Sequence, residues 1–313
     1  MPLAGVFDAI NGASWEQARG RLVDGLAQLQ SSLDRILNSS HNADGTLNTT
    51  TAAAFKKAPI ILTTTAVGTQ DNFDLRAANG ADVLLRCNNA TLLTLTGFTG
   101  GQPGQQITVV GIGAGDVAFT HQAATSAGPA RLWLMVQSAP MRMVGVSSDV
   151  TQRGLITLIY DGNGSSNNAG VAFWRCVAFD QGAFRTTAFS AGDFVGSGAM
   201  TWTVGSGDVQ DLAYYLRGRL ITVSFGLVTT SVGGGLDTDL RIHSNQWGGF
   251  TTPTYGTFTQ NTCLVNDNGT RSVGRAYIGN NQVQINIAKY PVANYAGAAN
   301  TTDVLGELTF EVS

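Results

Sequence analysis

A row of leucines near the N-terminus constrains this chain more than any other feature, because it needs a surface to cover it. The row lies in residues 14–38, where Ser14 can cap a first helical turn and Gln17 can complete a capping box. Its apolar residues recur at alternating spacings of four and three, which is typical of a coiled-coil seam. The predicted seam consists of Leu22, Leu26, Leu29, Leu33 and Ile36.

The partner of this seam has to be inferred, because no other segment of the chain shows a strong helical pattern. Two arrangements are open: the helix docks on a sheet of its own chain, or it associates with copies of itself. We favour self-association, since so narrow an apolar stripe is typical of helices that pack on one another. Leucine at most seam positions does not decide between two and three strands.

The rest of the sequence predicts a mainly β protein. Only 12% of the 313 residues are charged, and lysine and glutamate, which usually build exposed helix faces, occur three times each. After a polar connection at 39–55, short apolar runs alternate with turns rich in Gly and Asn. We expect a helical stalk in 1–55, followed by two antiparallel, jelly-roll-like β-sandwich domains at 56–185 and 186–313. The second boundary lies in 180–198, which lacks regular alternation.

Alternating apolar residues predict which side chains of each strand face the core. In the C-terminal part, the runs at 221–227, 283–287 and 308–312 each place apolar residues on one face. In the middle part, one strand is expected to put Val171, Phe173, Val177 and Phe179 on one face. Trp174 and Cys176 are expected on the opposite face.

Charge and hydropathy argue against two classes of partner. The net charge of −3 and the pI near 5.5 leave no basic stripe that would neutralise nucleic-acid phosphates. No apolar run approaches the roughly 18 residues of a membrane-spanning helix. We therefore expect neither nucleic-acid binding nor membrane insertion.

No motif predicts a catalytic, cofactor or metal site. The three cysteines are widely spaced and predict free, buried thiols, and His41, His121 and His243 lack metal-ligand spacing. The run GIGAGD at 111–116 precedes a strand-like segment, so it predicts a turn and not a phosphate loop. An enzyme is not expected.

Loop aromatics are the remaining candidates for ligand contact. Trp247, Phe250 and Tyr255 lie in a stretch rich in Gly, Thr and Pro, and such rings can stack on sugar faces. The alternative is that they close the end of a sandwich or pack at a subunit interface. Tyr290 and Tyr295 have the same two interpretations.

Two passages resemble structural appendage proteins of tailed bacteriophages. LTGFTGGQPGQQITVVGIGAGDVAFTHQ at 95–122, followed by LITLIYDGNGSSNNAGVAFWRCV at 155–177, is similar to a repeating element of phage fibre and tailspike proteins. MTWTVGSGDVQDLAYYLRGRLITVSFGLVTTSVGG at 200–234, with the terminal GELTFEV, is similar to a β-sandwich at the C-terminal end of such proteins.

The resemblance implies a homotrimer on the virion surface, made in the host cytoplasm. Such proteins attach to other virion proteins through the N-terminal segment and present the C-terminal end outward. It thus implies host attachment, with the distal β domain binding a cell-surface glycan. One alternative is a purely structural capsid or tail decoration protein without a ligand. A second is a glycan-degrading tailspike, but the chain is short for that class, which usually has a long parallel β-helix.

Overall fold

The computed structural model describes residues 59–145, 153–162, 171–254 and 258–313, which belong to one compact unit beginning at Pro59. The predicted seam from Leu22 to Ile36 lies outside the described residues, so the coiled coil stays a prediction. The described part is mainly β, which confirms the predicted class. The domain boundary between residues 185 and 186 also stays a prediction.

The described residues form twenty-one strands and five short 3-10 helices. The first twelve strands are β1 (Ile60–Thr64), β2 (Gly68–Gln70), β3 (Phe73–Asp74), β4 (Val83–Cys87), β5 (Leu93–Leu95), β6 (Phe98–Thr99), β7 (Gln106–Gly111), β8 (Val117–Phe119), β9 (Leu132–Trp133), β10 (Met141–Met143), β11 (Leu155–Asp161) and β12 (Phe173–Asp180). The others are β13 (Phe194–Gly196), β14 (Met200–Thr203), β15 (Val209–Arg217), β16 (Leu220–Gly234), β17 (Asp239–His243), β18 (Thr259–Asp267), β19 (Thr270–Ile278), β20 (Gln284–Lys289) and β21 (Ala298–Glu311). The 3-10 helices are Arg76–Ala78, Gly128–Ala130, Ala191–Asp193, Ser206–Asp208 and Ser244–Trp247.

Strands β1 to β8 form a stack of parallel coils, which we call the coil stack. β1, β4 and β7 pair in parallel, as do β2, β5 and β8, and β3 pairs in parallel with β6. Each coil therefore lies on the previous one, with equivalent residues in contact. Leu62 pairs with Leu85, which pairs with Val109, so similar aliphatic side chains stack inside the coils.

Parallel pairing corrects the prediction of an antiparallel sandwich for residues 60–119. Short apolar runs separated by turns predict strands, but they do not say whether each strand pairs with the next one or with its counterpart one coil later. In this structure each strand pairs with its counterpart one coil later: Ile60 pairs with Val83, and Val83 pairs with Ile107. Such spacing corresponds to a repeat of about 24 residues, as expected for a solenoid.

A buried asparagine links the turns of successive coils. Asn89 is fully buried, and its Nδ2 donates hydrogen bonds to the backbone oxygens of Thr91 (2.7 Å) and Asp116 (2.9 Å). The Gly113 backbone approaches Asn89 so closely that a Cβ on residue 113 would lie 2.3 Å from the Asn89 oxygen. GIGAGD is therefore a turn between β7 and β8, as predicted.

β11 and β12 continue the sheet beyond the coils in antiparallel fashion, and Trp174 fixes them to the stack. The buried Trp174 indole donates a hydrogen bond to the Phe98 backbone oxygen (2.8 Å). The predicted faces of β12 were wrong in part, because the register against β11 shifts between Thr157 and Leu158. That bulge leaves Val177 exposed and puts Phe179 on the same buried side as Cys176.

The C-terminal strands form an antiparallel sheet that curls back on itself. The order is β15, β16, β21, β18, β19, β20, β17 and β13, and β14, which follows β13 closely, pairs with β16. The sheet thereby encloses one apolar core. Ile221, Val223 and Leu308 lie in it, which confirms the predicted faces at 221–227 and 308–312.

The turn between β18 and β19 is also as predicted. Asn268 and Gly269 have φ values of 51° and 81°, which are required in the two-residue turn of a tight hairpin. Cys87, Cys176 and Cys263 are free and buried, again as predicted. None of the helices in the described ranges is long and apolar enough to cross a membrane.

Candidate binding site

Two of the three aromatics predicted to contact glycan lie in the core. Trp247 and Phe250 are buried, and their rings pack edge-on against Phe310 and Tyr214, at centroid distances of 6.2 and 6.1 Å. Neither ring offers a face to a ligand, so the prediction is wrong for both. Their role is the alternative one of closing the end of the sheet. Tyr255 lies outside the described residues.

The two tyrosines that flank Pro291 have opposite environments. Tyr295 is buried, and its hydroxyl donates a hydrogen bond to the Ile287 oxygen (3.1 Å). Tyr290 is 68% exposed at the end of β20. Only Tyr290 of this pair is therefore available for contact with another molecule.

Tyr290 ends an apolar row that crosses the outer face of four neighbouring segments. Leu305 on β21 pairs with Leu264 on β18, and Leu264 pairs with Val273 on β19. The Tyr290 N–H donates a hydrogen bond to the Val273 oxygen (2.9 Å), which brings the tyrosine into the same row. The exposed fractions rise along the row from 36% at Leu305 through 43% and 55% to 68% at Tyr290.

A groove of about 390 Å³ lies beside this row. One side of it is formed by Val273 and Tyr290 of the row, and the other side is polar. Thr262 and Arg275 pair across β18 and β19, and Gln260 is exposed two residues before Thr262. We call this site the outer groove. It is lined by Gln260, Asn261, Thr262, Val273, Gly274, Arg275 and Tyr290.

Arg275 is held in the outer groove by an aromatic ring and not by a carboxylate. Its guanidinium carbon lies 4.9 Å from the centroid of the Tyr277 ring, a cation–π contact. Its Nε is buried, and none of the residues that the structure describes accepts a hydrogen bond from it. A buried donor without a partner is unusual. Arg275 also lines the groove, where the other N–H groups of its guanidinium can donate to a ligand oxygen.

Tyr277 in turn is fixed from both sides. Its hydroxyl donates a hydrogen bond to Asp239 (2.7 Å), and Phe258 packs on its ring at 5.4 Å. Burial, followed by the bond to Asp239, raises the pKa of Tyr277 to about 12. The ring below Arg275 is therefore neutral at physiological pH, and these two contacts set its position.

The outer groove suits a sugar better than a metal or a reacting group. An aromatic ring and an apolar floor match the flat faces of a sugar, while guanidinium, hydroxyl and amide groups match its hydroxyls. Within the described ranges, no group of three or more His, Cys, Asp or Glu side chains is placed to hold a metal ion. His121 has a structural bond, since its Nδ1 accepts the Leu134 N–H (3.1 Å).

Sequence reasoning named Tyr290 but missed the other groove residues, although a signal was present. In β19 two of the three buried positions are small, Gly274 and Ala276, whereas the large residues Val273 and Tyr277 point outward. The core requires this, because a Cβ on Gly274 would lie 2.5 Å from Val265 Cγ2. Small residues alternating with large ones thus indicate here a strand whose large side chains form a surface.

Comparison with known proteins adds no evidence about this site. No protein-family model matches the chain, and no curated protein matches it.

Proposed function

We propose that this chain is a structural fibre protein of a phage virion and attaches the particle to a host-surface glycan through its distal β domain. It acts without catalysis, as a homotrimer, and its N-terminal segment joins other virion proteins. The resemblance of 95–122, 155–177 and 200–234 to phage appendage proteins supports the class. The coil stack spans only residues 60–119, so it is much shorter than the long parallel β-helix that is usual in glycan-degrading tailspikes.

One observation carries the proposal of glycan binding: the exposed Tyr290 lines the same groove as Arg275, whose Nε has no hydrogen-bond acceptor among the described residues. A sugar ring stacked on Tyr290 would bring hydroxyl oxygens toward the Arg275 guanidinium, which forms no ion pair with the described residues. We expect a sugar stacked on the Tyr290 ring to contribute about 1 kcal/mol, the magnitude found for aromatic pairs in proteins. Several such sites in a trimer would bind a repetitive glycan with much higher avidity.

The test is binding of the full-length protein to a glycan array and to host cells. Tyr290→Ala should weaken adsorption at least about fivefold, because it removes about 1 kcal/mol of stacking free energy at each site. Phe184→Ala is the matched control, since Phe184 is also exposed but does not line the outer groove. Equal adsorption of both variants and the wild type would refute the groove as the receptor site. Release of reducing sugars from host polysaccharide would refute the non-enzymatic proposal.

The apolar end of the row favours a second candidate role, contact between copies of the chain. Leu264 and Leu305 are exposed and lie opposite each other on β18 and β21. The next residue of the row, Val273, is also apolar. Leu264→Ser, and separately Leu26→Ser with Leu33→Ser in the predicted seam, should lower the mass measured in solution by light scattering. A loss of assembly with Leu264→Ser and unchanged glycan binding would assign the row to self-association.

A further inference from the structure

A second cavity lies between β10, the segment 185–188 and β15. Its volume is about 310 Å³, at the lower end of the range for small-molecule sites. It lies away from the outer groove and shares no lining residue with it. We call it the junction cleft, and its polar lining includes Arg142, Arg185, Thr186, Thr187 and Tyr214.

Backbone hydrogen bonds fix the walls of the junction cleft. The N–H of Arg185 donates to the Tyr214 oxygen and the N–H of Tyr214 donates to the Arg185 oxygen, both at 2.8 Å. The N–H of Val144 donates to the Gln181 oxygen (3.0 Å), which ties the strand carrying Arg142 to the same segment. The two arginines are therefore presented on a preformed frame, which lowers the entropic cost of binding a ligand.

The charge of the junction cleft is positive by one unit. Arg185 forms an ion pair with Asp116, which also accepts the Gly145 N–H (2.9 Å). Arg142 has no carboxylate partner among the described residues. A single negative charge would balance the site, whereas a phosphate dianion would leave an excess of negative charge.

Tyr214 adds a neutral hydrogen-bond donor. None of the described residues makes a hydrogen bond to its hydroxyl, and Gly248 lines the cleft beside it. A Cβ on residue 248 would lie 2.9 Å from that hydroxyl oxygen, so the glycine keeps the space open. Burial raises the pKa of Tyr214, against the opposing effect of the two arginines, so the phenol keeps its proton at neutral pH.

We propose that the junction cleft binds the carboxylate of an acidic sugar unit, with Arg142 as its principal charge partner and the Tyr214 hydroxyl as a second donor. Thr186 and Thr187 face the sugar hydroxyls. This inference rests on the proposed function, because a host-surface glycan supplies such a sugar, and it makes that glycan an acidic one. Guanidinium groups suit this ligand, since their parallel N–H groups match the two oxygens of a carboxylate.

The experiment is a titration of the full-length protein with glucuronate, in which binding is measured by NMR or calorimetry. Glucuronate should bind at least about tenfold more tightly than glucose, and binding should weaken as salt is added. Arg142→Gln should weaken glucuronate binding about tenfold, while Arg86→Gln, an exposed arginine outside the cleft, should leave it unchanged. Tyr214→Phe keeps the buried ring and should weaken binding several-fold.

Three results would overturn the proposal. One is equal affinity for glucose and glucuronate, and another is unchanged glucuronate binding in both Arg142→Gln and Tyr214→Phe with folding verified by circular dichroism. The third is a preference for inorganic phosphate over glucuronate. Tyr290→Ala separates the two sites: it should leave glucuronate binding intact while it weakens adsorption, so either proposal can fail without the other.

Discussion

Lys289 and Asp267 form an ion pair that is almost completely withdrawn from solvent. The Lys289 Nζ lies 2.8 Å from the Asp267 Oδ2, and the two side chains are 16% and 5% exposed. The same carboxylate oxygen accepts the Ala296 N–H (2.9 Å), and Lys289 also donates to the Asn294 oxygen. The pair therefore joins the end of the β18–β19 hairpin to the connection between β20 and β21.

Breaking this pair should destabilise the C-terminal sheet strongly. Lys289→Met leaves the Asp267 carboxylate buried without its counter-charge, which costs about 3–5 kcal/mol. Asp74→Asn is the control, because Asp74 and Arg76 form an exposed pair, and exposed pairs contribute little to stability. Denaturant unfolding of both variants measures the difference. Similar unfolding midpoints for the two would contradict the burial of the Lys289–Asp267 pair.

The coil stack should be sensitive to a single methyl group at its closest turn. Gly113→Ala brings a Cβ within 2.3 Å of the Asn89 backbone oxygen, and relief of that clash should cost about 3 kcal/mol. Gly192→Ala places its Cβ in open space and should be nearly neutral. Thermal unfolding compares the two variants. An unchanged Tm for Gly113→Ala would mean that the coils are not packed as described.

The three thiols should be inert in the folded protein. Burial raises the pKa of Cys87 and Cys263 to about 12 and that of Cys176 to about 11, so the reactive thiolate is nearly absent at pH 8. We expect no reaction with a thiol reagent such as dithiobisnitrobenzoate until guanidinium chloride unfolds the chain, and then three equivalents. Rapid modification of one thiol under native conditions would show that its site is open.

Stability should fall at high pH, and Tyr215 and Tyr277 should contribute to this loss, because their hydroxyls donate hydrogen bonds only while they are protonated. Tyr215 and Tyr277 donate hydrogen bonds to Asp180 (2.6 Å) and Asp239 (2.7 Å). Burial first, and then these bonds, raise the pKa of both hydroxyls to about 12, above the ordinary value of about 10. Their contribution is therefore complete below about pH 10 and is lost as the pH rises toward 12.

The corresponding experiment follows the Tm from pH 8 to pH 12. Tyr215→Phe and Tyr277→Phe should each show a shallower decline above pH 10 than the wild type, since each removes one group that ionises on unfolding. Their Tm values at pH 8 provide the baseline. Parallel declines in all three proteins would assign the alkaline instability to other groups.

The sequence predicted local features well where one physical rule acts alone. The tight turn at Asn268–Gly269 follows from residues that adopt positive φ, and the buried face from Ile221 to Leu227 follows from strict alternation. The candidate site was predicted only in part. Tyr290 was one of several loop aromatics, and the burial of Trp247 and Phe250 depends on distant strands that close over them.

The main error of the sequence-based prediction was the pairing of strands, because the partner of a strand depends on the whole chain. A run such as β4 has the same sequence pattern whether it pairs in antiparallel fashion with its neighbour or in parallel with strands about 24 residues away. The bulge that exposes Val177 depends likewise on the register against β11. The local propensity of a segment to form a strand determines neither the partner of that strand nor its register.

The sequence by itself determined that the described part is a β protein with turns at Gly and Asn, buried thiols and alternating faces, because these depend on backbone conformation and local hydrophobicity. Only the tertiary structure decided that residues 60–119 form parallel coils. It also decided that Tyr290 and Arg275 line one groove, and that Arg142, Arg185 and Tyr214 line one cleft. These arrangements bring together separate segments of the chain, and the free energy that selects them comes from packing and charge across the whole fold.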